Sequence, residues 1–138
     1  PGKILAIEHW DDSLPMWGQE NFHMTTLPLY DPDTPEKWMS INKQLQQADF
    51  IIIASNRLYT PLMKLTQCQT LPHDRCYVQT VQYYKDLFSG KLGYKKVAEF
   101  TSYPTLEIRN WKLEIQDFGA DESFTVYDHP KIMIFKKQ

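Results

Sequence analysis

The sequence has little of what marks a membrane span, a nucleotide-binding loop or a nucleic-acid-binding protein. Its longest apolar run, residues 50–54, has five members, far fewer than the roughly 18 that a transmembrane helix needs. Only two cysteines and five glycines occur, and no glycine-rich phosphate loop, nucleophile elbow or Cys-x-x-Cys motif is present. Fifteen basic and seventeen acidic residues give a net charge of −2, which argues against nucleic acid as a partner.

The length and composition of the chain are those of one globular domain. The chain has 138 residues, of which 42% are hydrophobic and 14% aromatic, enough to form one core. We therefore expect a single soluble domain over residues 1–138. Pro1 and Gly2 run directly into an apolar segment without an initiator methionine or a leader. We interpret this start as that of a piece of a longer protein.

Apolar periodicity predicts strands separated by helices. Residues 3–7, 50–54, 94–101 and 131–135 are predicted strands, residues 106–115 and 124–127 are less regular candidates, and residues 8–30 are interpreted as a long loop. Asp33 or Thr34 can cap a helix that has Pro35 in its first turn and runs to about residue 47. Further helices are predicted over residues 55–65 and 75–89, the last one ended by Gly90.

This order of elements predicts an α/β fold. A helix followed at once by a buried strand is half of a parallel crossover unit. We expect a three-layer sandwich with a mixed sheet that is parallel at its centre and has an antiparallel closing strand.

Polar residues gather directly after the predicted strands and just before the last one. The candidate ligand-binding residues are Glu8, His9, Trp10, Asp11, Asp12, Asn56, Arg57, Tyr59, Tyr103, Asp128 and His129. Carboxylates beside an imidazole could bind a divalent cation, do acid–base chemistry or hold a polar ligand. The alternative interpretation is a set of solvated turns and helix caps.

Topology favours one shared site over separate turns. Ligands of open α/β sheets bind outside the carboxyl ends of parallel strands. The candidate residues that follow the first three predicted strands of the sheet would lie there. If the closing strand is antiparallel, its beginning brings Asp128 and His129 to the same edge. The acidic residues would then lie near Arg57 and His129.

Cys68 and Cys76 flank a seven-residue loop. They could form a disulfide in an oxidising compartment, remain free buried thiols, or bind zinc together with His73. The zinc alternative has only three nearby ligands at an irregular spacing, so no metal site is predicted there.

Four segments resemble a known group of proteins. These are EHWDDSLP, ADFIIIASNRLY, YYKDLFSGKLGYKKVAEFTSYP and ADESFTVYDHPKIMIFKK, which follow one another in order between residues 8 and 137. They resemble the soluble region near the C-terminus of bacterial and archaeal polytopic membrane proteins. Those proteins are dolichyl-phosphate-mannose-protein mannosyltransferase-like glycosyltransferases of the GT-C type, and membrane proteins with a YYY signature.

The resemblance implies an extracytoplasmic accessory domain of a membrane-embedded glycosyltransferase that uses a lipid-phosphate sugar donor. The catalytic acid of such enzymes lies in membrane loops, so no residue here is expected to be catalytic. The implied partners are the transmembrane part of the parent chain and a lipid-linked sugar or an acceptor. No cofactor is expected in this domain, although a divalent cation could serve the parent enzyme. The alternative is a free-standing binding module or a metal-dependent enzyme that uses the acidic edge.

Overall fold

The computed structural model describes residues 2–9, 18–108, 111–115 and 131–138. The strands are β1 (Lys3–Glu8), β2 (Phe22–Leu27), β3 (Phe50–Ile53), β4 (Tyr94–Thr101), β5 (Thr105–Ile108), β6 (Trp111–Glu114) and β7 (Lys131–Lys137). The α-helices are α1 (Pro35–Gln47), α2 (Tyr59–Leu62) and α3 (Val78–Ser89), and single turns of 3-10 helix cover Gln19–Asn21 and His73–Arg75. The strand candidate at residues 124–127 lies outside the described residues.

Local capping chemistry sets the ends of the two long helices. The Thr34 hydroxyl accepts a hydrogen bond from the backbone N–H of Lys37 at 3.2 Å, and Pro35 occupies the first turn of α1. Gly90 ends α3 in the left-handed conformation, at a φ of 79°, which a residue with a side chain adopts only at a cost. Both ends were predicted from the sequence. The third predicted helix begins three residues late, and the second is limited to one turn.

Five strands form one mixed sheet in the order β2-β1-β3-β7-β4. Strand β1 pairs in parallel with both β2 and β3, whereas β7 runs antiparallel to both β3 and β4. The antiparallel direction of the closing strand is therefore as predicted. The parallel pairs, however, lie on one side of the sheet and not across its centre, because β7 inserts between β3 and β4.

Strand β2 is a correction to the sequence analysis, which interpreted residues 8–30 as one long loop. All six of its residues pair with β1, from Lys3 opposite Phe22 to Glu8 opposite Leu27. The segment FHMTTL lacks a clear alternation of apolar and polar residues, and four of its six residues are half-buried, as expected for a strand at the edge of a sheet. Strand β2 is therefore formed by its pairing with β1 and not by a strand pattern in its own sequence.

One face of the sheet carries the main hydrophobic core. The buried residues Ala6, Ile51 and Phe135 of the sheet pack in one cluster with residues from all three described helices. On the opposite face, Leu5, Ile7 and Ile52 form a smaller cluster, and the half-buried side chains packed against it also come from strands. Within the described residues, helices thus cover one face of the sheet. Among those same residues, no helix is both long and apolar enough to cross a bilayer.

Candidate functional site

All five strands of the sheet have an end at one common edge, called here the carboxyl edge, where β2 ends at Leu27 beside the end of β1. Strands β1, β3 and β4 point the same way and end there at Glu8, Ile53 and Thr101. The antiparallel β7 begins there, since Lys131 pairs with Thr101. Residues that follow β1, β3 and β4 are therefore brought to the same edge of the sheet, where α/β proteins commonly bind ligands.

Glu8 lies beneath this edge and not on its surface. Only 1% of the residue is exposed, and its Oε1 atom accepts a hydrogen bond of 2.8 Å from the hydroxyl of Tyr84 on α3. Tyr84 is itself fully buried. Burial of a carboxyl group is costly without such a partner, so this contact ties the end of β1 to α3.

An aromatic layer surrounds the Glu8–Tyr84 contact. The ring centroid of Tyr84 lies 5.2 Å from that of Tyr83, 6.0 Å from that of Tyr59 and 6.0 Å from that of Phe88. Tyr59 also meets Phe88 edge to face at 5.4 Å. Edge-to-face and offset contacts of this kind hold rings in defined positions. The layer therefore forms a rigid base for the loop that follows β3.

Burial keeps two of these phenols protonated. Burial first, and the nearby Glu8 carboxylate second, raise the pKa of Tyr59 far above its usual value, and the same two causes raise the pKa of Tyr83. The charges of Tyr103 and Glu99 make smaller contributions to the raised pKa of Tyr59. Neither tyrosine therefore acts as a base near neutral pH.

The loop after β3 brings the more accessible polar groups to the edge. The backbone carbonyl of Asn56 accepts from the N–H of Thr60, and the hydroxyl of Ser55 accepts from the N–H of Arg57 at 3.4 Å. These contacts make a capped turn that leads into α2. Asn56 is buried, with 9% of the residue exposed, and Arg57 is half-buried, so Arg57 is the more accessible of the two. Between described residues, no hydrogen bond involves the side-chain amide of Asn56.

A charged group completes the described part of the edge. Glu99 of β4 forms an ion pair of 2.9 Å with Lys131, the first residue of β7, and a second ion pair with Lys96. Hydrogen bonds from Lys96 and Lys131 lower the pKa of Glu99 below its usual value. Tyr103 follows β4 and is half-buried. Together with Asn56 and Arg57, these residues offer amide, guanidinium, ammonium, carboxylate and phenol groups that can bind a polar ligand.

Five of the site residues that were predicted from the sequence lie outside the part of the chain that the structure describes. Trp10, Asp11, Asp12, Asp128 and His129 lie outside the described residues, so the proximity expected between the acidic residues and Arg57 and His129 stays a prediction. His9 is exposed at the turn after β1. Within the described ranges, no group of three or more potential ligands is arranged to hold a metal ion.

Three residues of the site were missed by the sequence analysis. Tyr84 belonged to the helix predicted over residues 75–89, and Glu99 and Lys131 belonged to predicted strands, so no local pattern distinguished them. The fold brings Glu8 and Tyr84 together across 76 residues of sequence. Only the pairing of distant elements could have identified them.

The cysteines lie in a different part of the described fold. Cys68 and Cys76 are joined in a disulfide, and their Cα atoms are 5.2 Å apart, within the range that such a bond spans. With Asp33, Leu71, Val78 and Gln79 they line a shallow cavity of about 260 Å³ beside the start of α3. The free-thiol and zinc alternatives do not apply to this structure.

Comparison with models of protein families, with curated proteins and with solved structures gave no match to this chain.

Proposed function

We propose that this domain is an extracytoplasmic accessory domain of a membrane-embedded glycosyltransferase that takes sugar from a lipid-phosphate donor. In this proposal the carboxyl edge binds the sugar-phosphate headgroup of the donor or positions the acceptor. The chemical step belongs to the transmembrane part of the parent protein. The proposal rests on the chemistry of the edge and on the resemblance of four sequence segments.

The observation that carries the proposal is that Asn56 and Arg57 follow β3 at the carboxyl edge, in the turn that leads directly into the buried Tyr59 of α2. A guanidinium group is well suited to a phosphate, and an amide both donates to and accepts from sugar hydroxyls. The aromatic layer holds the turn that presents these two side chains. A rigid polar edge of this kind suits recognition of a headgroup without any nucleophile or metal.

The disulfide supports the proposed location. A structural disulfide persists in extracytoplasmic compartments and is rare in a reducing cytosol. Cys68 is exposed, so a reducing compartment would have access to the bond. The bond therefore fits a domain that faces the outside of the cell membrane.

The test is a binding titration of the purified chain with mannosyl phosphate, followed by NMR chemical-shift changes. We expect changes at Asn56, Arg57 and Tyr103, and weaker binding of mannose alone or inorganic phosphate alone. Asn56→Ala should lower the affinity about tenfold, since it removes a hydrogen bond to the ligand. The matched control is Asn42→Ala, which removes the same amide from an exposed position on α1.

The outcomes separate this proposal from the alternative. Equal effects of Asn56→Ala and Asn42→Ala, or no shift at the carboxyl edge, would contradict the proposal. Turnover of mannosyl phosphate by the chain alone, dependent on added Mg²⁺ or Mn²⁺, would favour the metal-dependent enzyme. We expect no turnover with or without either cation.

A further inference from the structure

The hairpin formed by β5 and β6 presents one apolar face. Its strands pair in antiparallel register, with Leu106 opposite Leu113. Trp111, Leu113 and Ile115 alternate along the second strand and so share one face. The N–H of Ile115 bonds to the carbonyl of Pro104 and extends the pairing beyond β6.

This apolar face is open to solvent. Trp111 is 83% exposed, Leu113 60%, Ile115 48% and Leu106 47%. Large apolar side chains gathered on one face commonly mark a surface that binds something else. A two-stranded hairpin is also marginally stable by itself in water, so a cover for this face would stabilise it.

The opposite face of the hairpin is polar and nearly neutral. Glu107 lies opposite Lys112 and Thr105 opposite Glu114, and the Lys112 ammonium lies 4.0 Å from the Glu107 carboxylate. These described side chains form no basic patch. The described side chains of the hairpin therefore favour attraction of an occupant by apolar contact and not by charge.

The size of the face distinguishes between two occupants. Its four exposed side chains offer on the order of 500 Å² of apolar surface. A stable dimer needs about 800 Å² from each partner together with complementary shape. A lipid bilayer needs no complementary shape, and tryptophan side chains favour the boundary between headgroups and acyl chains.

We propose that the apolar face of the β5–β6 hairpin inserts into the interfacial region of a lipid bilayer. Only residues 102–104 separate the hairpin from the end of β4 at the carboxyl edge. Insertion thus holds that edge close to the lipid surface, where the headgroup of a lipid-linked ligand would lie. The inference rests on the hairpin itself, and it adds a lipid contact to the proposed function.

Flotation of the full 138-residue chain with phosphatidylcholine vesicles tests the inference. We expect the chain to bind, and Trp111→Ser to lower the partition coefficient at least about tenfold because it removes the largest apolar side chain. Replacing a fifth of the lipid with phosphatidylglycerol, or raising the salt concentration, should change binding less than about twofold, since no charge attraction is involved.

The matched control is Met39→Ser, which removes another exposed apolar side chain (69%) from α1. It should bind vesicles like the original chain. Circular dichroism should show that both variants stay folded. Absence of binding to phosphatidylcholine, equal loss in both variants, or binding only to anionic vesicles would overturn the inference. So would sedimentation that shows a dimer abolished by Trp111→Ser. Mannosyl phosphate titration is a separate readout, so failure of either proposal can be recognised by itself.

Discussion

The carboxylate of Asp33 and the ammonium of Lys37 form a buried ion pair of 2.9 Å, one helical turn apart. The two side chains are 8% and 3% exposed, respectively. Asp33 also accepts hydrogen bonds from the backbone N–H groups of Gln79 and Thr80, and so caps α3 from a loop 46 residues away. Lys37 donates to the Thr80 hydroxyl and to the carbonyls of Leu29 and Asp31. One ion pair thus joins the starts of the two long helices.

Replacement of Asp33 should be strongly destabilising. We expect Asp33→Asn to lower the free energy of unfolding by about 3 kcal/mol, because it leaves the Lys37 charge buried without its counter-ion. Urea unfolding measures the change. Asp74→Asn, at an exposed position, is the control and should change the free energy of unfolding by less than about 0.5 kcal/mol. Equal effects would show that the ion pair does not couple the helices.

The same carboxylate should contribute to acid sensitivity. Burial raises the pKa of Asp33, but hydrogen bonds from Thr80 and Lys37 outweigh it and the net pKa is lowered. Its stabilising contribution is therefore complete above the unfolded value of about 3.9 and is lost as pH falls through the lower folded value. Thermal melting between pH 6 and pH 2 should show stability falling below about pH 4. In Asp33→Asn that decline should be shallower, whereas Asp74→Asn should keep the original slope.

Two adjacent tyrosines should respond in opposite ways to loss of their hydroxyls. Tyr84→Phe removes the hydrogen bond that its hydroxyl donates to Glu8 and should cost about 1–3 kcal/mol, because a buried carboxylate loses this hydrogen bond. The Tyr83 hydroxyl is buried and has no hydrogen-bond partner among the described residues. Tyr83→Phe should therefore leave the stability unchanged or raise it. Chemical denaturation of the two variants gives the comparison, and a larger loss in Tyr83→Phe would contradict this description of the aromatic layer.

The disulfide should stabilise the chain by restricting the unfolded state. Cys68 and Cys76 are separated by eight positions, and closing so short a loop is worth about 2.5 kcal/mol. We expect that loss on reduction with dithiothreitol. The Cys68→Ser/Cys76→Ser variant should match the reduced chain and should not respond to dithiothreitol. A response of that variant would show that reduction acts elsewhere.

Much of the described secondary structure could be predicted from the sequence because its signals are local. Pro35 and Thr34 mark the start of α1, Gly90 ends α3, and the run at residues 50–54 is apolar enough to be a buried strand anywhere in a fold. The direction of β7 also agrees with the prediction. The third layer of the expected sandwich stays a prediction, since helices cover one sheet face within the described residues.

The candidate site depended more on tertiary contacts. The sequence placed Glu8, Asn56, Arg57, Tyr59 and Tyr103 after strands, and strand direction brings the ends of those strands to one edge. The burial of Glu8 was not predictable, because it depends on Tyr84, which is distant in the chain and lies in a separate predicted helix. Residues 10–12 and 128–129 keep their predicted place at this edge as a hypothesis.

The sequence by itself determined where α1 begins, where α3 ends and which segments become the central strands, since caps, glycine conformation and apolar runs act within a few residues. Tertiary structure decided which residue caps each helix and whether an edge segment becomes a strand, because local chemistry allows more than one outcome there. Asp33 and Thr34 were equal candidates to cap α1, and the fold assigns Thr34 to that helix and Asp33 to α3. Strand β2 exists because β1 offers it an edge. In each case the deciding partner is remote in sequence, and its contribution arises only when folding removes the intervening water and brings the two groups together.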